Sequence, residues 1–123
     1  MTFLIADDNQ RFRESVSRYI LSKIPDHHRI FEASDGGEAA ALYGRILPDW
    51  VLMDIAMEPV DGLTGSRTIL KEHPEAKIII LTNYNDPDYR AAATEAGTAA
   101  FVLKEHLLDL ISIISPQSNR GAS

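Results

Sequence analysis

Four short apolar runs constrain this chain most: Phe3-Leu4-Ile5-Ala6, Trp50-Val51-Leu52-Met53, Ile78-Ile79-Ile80-Leu81 and Ala99-Ala100-Phe101-Val102-Leu103. No polar residue interrupts them and each is too brief for a helix, so they read as strands buried on both faces. Such strands belong in a parallel sheet with helices packed above and below it. A fifth run, Arg29-Ile30-Phe31-Glu32-Ala33, mixes charges with apolar residues and is expected at an edge of the sheet, half exposed.

The segments between the runs carry helix signals. Over 9 to 23, Phe12, Val16, Tyr19, Ile20 and the stem of Lys23 share one face. Asp35-Gly36-Gly37-Glu38 opens a second helix, with Asp35 as cap and Glu38 expected to reach back to it as in a capping box. Asp61-Gly62 opens a third that Pro74 closes, and Asp86-Pro87 opens a fourth with proline in the first turn. A fifth is expected from about Glu105 to Ile114. Five strand-helix units with short loops prescribe right-handed crossovers and helices on both faces.

A chain of 123 residues that is 45% hydrophobic can bury one core without disulfides or metal, and the absence of cysteine removes any thiolate site. No apolar run approaches the ~20 residues of a membrane span and no signal peptide is read, so a cytoplasmic protein without membrane contact is expected. Twelve basic residues against 18 acidic ones give a net charge of −6 with no basic cluster, which argues against direct nucleic-acid binding by this surface. The folded unit is expected over 2–114. Residues 115–123, small and polar, read as a disordered tail or the start of a linker.

In a parallel sheet the C-terminal ends of the strands lie side by side. Here those ends carry Asp7 and Asp8, Asp54, Thr82, and Lys104. Two like charges about 4 Å apart repel by about 4 kcal/mol at an effective dielectric of ~20, so three carboxylates there call for a cation. A hard ion with oxygen ligands, Mg²⁺, fits that set. Lys104 adds a point positive charge and Thr82 a hydroxyl donor, both useful to a phosphoryl group, while Asp54 is placed to act as a nucleophile that holds phosphate covalently.

Leu4-Ile5-Ala6-Asp7-Asp8, Asp49 to Asp54 followed by Asp61-Gly62, Ile80-Leu81-Thr82 with Tyr84 and Asp86, and Ala96-Gly97 leading to Phe101-Val102-Leu103-Lys104 occur in order at family spacing. Over about residues 2 to 114 the chain resembles a receiver domain of a two-component response regulator. It is most similar to the branch that often carries a C-terminal helix-turn-helix DNA-binding domain.

The resemblance implies a flavodoxin-like (βα)5 fold, a three-layer α/β sandwich with parallel strand order 2-1-3-4-5. It implies that Asp54 accepts a phosphoryl group from a histidine kinase or phosphotransfer protein. Asp7, Asp8, Asp54 and the backbone carbonyl of Ala56 would hold Mg²⁺, and Thr82 and Lys104 would bind phosphoryl oxygens. Thr82 and Phe101 would be the switch residues, with Phe101, lacking a hydroxyl, acting by packing alone. Such a domain is no turnover enzyme: it promotes only its own phosphorylation and dephosphorylation. DNA would be reached through an output domain outside this sequence.

Several positions depart from the family pattern: Pro59 falls one place late after Glu58, Asn83 follows Thr82, and Glu105 rather than proline follows Lys104. A trans Lys104-Glu105 bond is expected, since a cis non-proline bond costs about 3 kcal/mol. Two other functions remain open, an interaction module not regulated by phosphorylation and an aspartyl-phosphate hydrolase. The second generally wants an acid where this chain has Ala56. His27, His28 and His73 are read as surface residues, and His106 as solvated. The apolar residues of the last helix, Leu107, Leu108, Leu110, Ile111, Ile113 and Ile114, cover roughly 220° of arc at ~100° per residue. That exceeds one core stripe and raises a homodimer contact through the last helix.

Overall fold

The structure, a computed structural model, describes residues 1–25 and 28–115. Strands β1 (Thr2–Ala6), β2 (Arg29–Ala33), β3 (Trp50–Met53), β4 (Ile78–Thr82) and β5 (Ala100–Leu103) alternate with helices α1 (Gln10–Lys23), α2 (Gly36–Ile46), α3 (Gly62–Glu72), α4 (Pro87–Ala96) and α5 (Leu107–Ile114). All strands pair in parallel in the order β2-β1-β3-β4-β5, the expected flavodoxin-like arrangement. Ala6 lies opposite Ala33 on one side and Met53 on the other, while Thr82 lies opposite Leu103, so the segments that follow these residues emerge at one end of the sheet. No helix among the described residues is long and apolar enough to cross a membrane.

Strand alternation divides the core into two layers. Phe3, Ile5, Leu52, Ile79, Leu81 and Val102 point to the side covered by α1 and α5, meeting Val16, Ile20, Leu110 and Ile114. Leu4, Val51, Met53, Ile78 and Ile80 point the other way, against Ala39 and Tyr43 of α2, Leu63 and Ile69 of α3, and Ala93 of α4. Fully burying one such side chain contributes roughly 1.5–3 kcal/mol.

Four of the five helices begin with a side-chain cap on a predicted residue or its neighbour: Asn9, Asp35, Asp61 and Asp86 accept from the first-turn N–H groups of α1, α2, α3 and α4. Each such cap is worth about 1 kcal/mol.

The structure corrects the sequence reading at several points. The fifth strand is not buried on both faces: it forms the second edge of the sheet, begins at Ala100, and leaves Ala100 and Phe101 half-buried. Glu38 accepts from the N–H of Ser34 at 2.7 Å, one residue ahead of the cap that a capping box would use. A 3₁₀ turn over Lys104–His106 precedes α5, which therefore starts at Leu107. His28 and His73 are half-buried rather than loose on the surface. The His28 ring meets Phe3 edge-on at 5.6 Å and its Nε2 lies 2.9 Å from the Ile24 carbonyl, while His73 tilts over Tyr43 at 4.9 Å. His27 and the expected tail over 116–123 lie outside the described residues. Among these the cis peptide bond is Glu58–Pro59, and Lys104–Glu105 is trans as expected.

Candidate functional site

Asp7 directly follows β1, and each of its polar atoms meets a partner. Its N–H donates to Ala33 O at 3.0 Å, its carbonyl accepts from Arg13 Nη1, and Oδ1 accepts from the Asn9 N–H at 2.9 Å. Oδ2 lies 2.6 Å from Lys104 Nζ, a close ion pair whose angles fall outside hydrogen-bond geometry. Asp8, one residue later, is exposed.

Asp54 directly follows β3 and donates its N–H to the Ala6 carbonyl at 3.0 Å, so the two strand ends that carry the acids are stitched together. Its side chain is buried. Oδ2 accepts from Lys104 Nζ at 3.4 Å, and Oδ1 has no partner. One carboxylate oxygen from each of Asp7, Asp8 and Asp54 lies within 4.8 Å of the other two.

Thr82, the last residue of β4, is fully buried, and its Oγ1 accepts from the Tyr84 N–H at 3.4 Å. With an acceptor site used, its proton remains available to donate. Lys104 follows β5, which carries its largely buried side chain back across to the acids. The structure thus brings Asp7, Asp8, Asp54, Thr82 and Lys104 to one place. Exposed Ala56 borders a neighbouring cleft of about 640 Å³ together with Asp8, Glu58, Arg67, Tyr84 and Tyr89. Phe101 stands apart from the acids, opposite Ile80 on β4, with the Arg90 guanidinium 4.5 Å from its ring centroid.

Burial raises the Asp54 carboxyl above its ordinary value; the Lys104 ammonium and the Thr82 hydroxyl pull it back, and Asp7 adds to the rise. Asp61, which caps α3, goes the other way. Burial raises it, but hydrogen bonds from the Thr64 N–H and hydroxyl, at 2.8 and 2.9 Å, outweigh that and hold it below the usual carboxylate value.

Sequence reading missed the residues that support these groups. Arg13 reaches from α1 to the Asp7 carbonyl while its Nε pairs with Glu32 of β2 at 2.7 Å. The available signal is a charge inside an otherwise apolar strand, which by itself marks only an edge. Gly62 fits a helix start in the sequence, yet its Cα also packs against the Asp54 backbone. Phe12 fits the core face of its helix, and its ring centroid also lies 4.1 Å from Lys104 Nζ.

A partnerless buried oxygen on Asp54 beside two further carboxylates suits a hard divalent cation, which prefers charged oxygen ligands. The ammonium and hydroxyl next to it suit the oxygens of a phosphoryl group.

The chain is similar to known proteins in sequence and in fold. The family model "Response regulator receiver domain" matches residues 3–115. The chain is 33% identical over 120 residues to the transcriptional regulatory protein DegU of Brevibacillus brevis, covering 97% of this chain and 50% of that one. It is 37% identical over 101 residues to LiaR of Bacillus subtilis, covering 82% and 47%. The chain therefore spans about half the length of these curated relatives. Among solved structures, a LuxR-family DNA-binding response regulator from Staphylococcus aureus superposes with a TM-score of 0.84 at 28% identity, covering 94% of this chain and 96% of that one. The response regulator TrrA of Thermotoga maritima, solved in complex with Mg(2+)-BeF, gives 0.82 at 27% over the same shares. With the family model matching residues 3–115 and these curated relatives above 30% identity, the chain belongs to the response regulator receiver domain family.

Proposed function

We propose that the chain is a phosphoacceptor switch in which Asp54 receives one phosphoryl group from the phosphohistidine of a histidine kinase or phosphotransfer protein. The observation that carries this reading is the state of Asp54: a buried carboxylate with a lysine on one oxygen, a buried hydroxyl beside it, and no hydrogen bond of good geometry to the other oxygen. The bond from the Asp54 oxygen to phosphorus forms as the bond from imidazole nitrogen to phosphorus breaks. The nitrogen keeps the electron pair and takes a proton from solvent. Lys104 and Thr82 offset the charge on the phosphoryl oxygens, a matter of positioning and electrostatics.

Asp8 and the free oxygen of Asp54 would hold Mg²⁺, with Asp7 behind them and the Ala56 carbonyl as a further ligand. When bound, the ion would neutralise charge shared by the carboxylates and the phosphoryl group. Asp7 is the most constrained of the three acids, since Asn9 and Lys104 already engage its oxygens. Its part is to hold Lys104 and shape the site.

The modified domain would favour a second conformation, with Thr82 and Phe101 as the elements that move, and so control an output. Output through DNA, as the relatives' names suggest, would use a domain outside this sequence. The domain itself would promote only its own phosphorylation and dephosphorylation, in the cytoplasm. Leu108 of α5 is 68% exposed beside half-buried Leu107 and Ile111, which supports a homodimer contact through that helix.

Incubation with Mg²⁺ and acetyl phosphate, followed by intact mass, tests the reading. Wild type should gain one phosphoryl group and Asp54→Asn none; steady release of phosphate over many turnovers would indicate the hydrolase, and no modification would indicate the interaction module. Sedimentation of both forms tests the homodimer, which monomers throughout would exclude.

A further inference from the structure

A lysine ammonium has three N–H donors and no acceptor. The largely buried Lys104 meets Asp7 Oδ2 at 2.6 Å as an ion pair and donates to Asp54 Oδ2 at 3.4 Å, so two carboxylates flank its ammonium. Its third neighbour is an aromatic face: Nζ lies 4.1 Å from the centroid of the Phe12 ring, inside the ~6 Å over which a cation and a ring attract. Phe12 is itself well fixed. Its N–H donates to the Asn9 cap at 3.1 Å, in the first turn of α1, and its ring packs against the layer that α1 and α5 form with the sheet.

Lysine carries a strongly hydrated charge on a flexible four-carbon stem, so without a third neighbour this ammonium would turn toward water. We propose that Phe12 is a positioning residue for Lys104, its ring face holding the ammonium between the two carboxylates at the place from which it serves the phosphoryl group on Asp54. This rests on the reading of Asp54 as phosphoacceptor. A leucine at position 12 would preserve an apolar contact with the core but offer no ring quadrupole.

The test compares wild type, Phe12→Leu and Phe12→Tyr in the whole chain. The first measurement is the NMR shift of the Lys104 ε-methylene and Nζ signals without phosphodonor, which a ring above the ammonium displaces. The second is the rate of phosphorylation by acetyl phosphate at saturating Mg²⁺. Phe12→Leu should lose the ring-induced shift and slow phosphorylation about three- to tenfold, the range of a partly desolvated cation–ring contact. Phe12→Tyr should restore both, and Phe12→Met replaces the leucine variant if that one does not fold. An unchanged Lys104 shift, an unchanged rate, or a tyrosine variant that rescues neither would overturn the proposal. If wild type takes up no phosphoryl group, the function above fails, while the NMR comparison still decides whether Phe12 holds Lys104.

Discussion

Gly62 packs against Asp54 so tightly that a Cβ built on it would lie 1.8 Å from the Asp54 carbonyl oxygen. The start of α3 and the residue proposed to take the phosphoryl group are therefore in direct backbone contact. The contact is reinforced where the Gly62 N–H donates to the Ile55 carbonyl at 3.0 Å. Here glycine is required by space.

Gly62→Ala forces the β3–α3 segment to move. The expected result is a loss of about 1–3 kcal/mol in urea unfolding, the range of overpacking in a tight interior, together with slower phosphorylation of Asp54. Gly44, with nothing within 4 Å of its built Cβ, is the control. Gly44→Ala should stabilise α2 by up to about 1 kcal/mol, since alanine replaces glycine inside a helix.

Asp54 carries a pH prediction whose sign follows from its burial. A carboxyl raised above its unfolded value binds more protons in the folded state, so its contribution is full below the unfolded pKa and is lost as pH rises through the folded one. At neutral pH wild type therefore bears the cost of an ionised, buried acid. Asp54→Asn should melt higher at pH 7. The gap should narrow as the buffer is taken down through the carboxylate range, which calorimetry at a series of pH values measures.

Arg13 links Glu32 on the edge strand to the Asp7 carbonyl. Because Glu32 is 41% exposed in its side chain, the ion pair itself should be worth no more than about 1 kcal/mol. Arg13→Ala should cost more than Glu32→Gln, because it also strips a donor from the Asp7 carbonyl. A double-mutant cycle in urea separates the two contributions. Equal losses for both variants would mean that the carbonyl contact contributes nothing.

Phe101, half-buried on the edge strand and covered by Arg90, is the proposed packing switch. Phe101→Ala should still be phosphorylated on Asp54. Its amide shifts over β4, α4 and β5 should respond much less to acetyl phosphate than those of wild type in ¹H–¹⁵N spectra. An undiminished response would remove Phe101 from the switch.

The legible parts of this fold were those in which one strand or helix dictates its own pattern. β1, β3 and β4 are buried on both faces and so appear as unbroken apolar runs, and capping acids such as Asp35, Asp61 and Asp86 announce the helices that follow. The ends of those strands then forecast where Asp7, Asp8, Asp54, Thr82 and Lys104 meet. β5 looked equally apolar but ends the sheet, because composition does not tell a strand how many neighbours it has. Arg13 with Glu32, Phe12 with Lys104, and Gly62 with Asp54 were hidden for a common reason. Each is set by how neighbouring elements pack rather than by a local pattern, and each residue has an ordinary local role that explains it equally well.

The most direct test of the account is to locate the phosphoryl group. After reaction with acetyl phosphate and Mg²⁺, borohydride reduction of the acyl phosphate and peptide mass mapping should convert one residue, Asp54, to homoserine, and chelating the metal should abolish the conversion. Reduction at Asp7 or Asp8 with Asp54 intact, or none at all in folded protein with Mg²⁺ present, would contradict it.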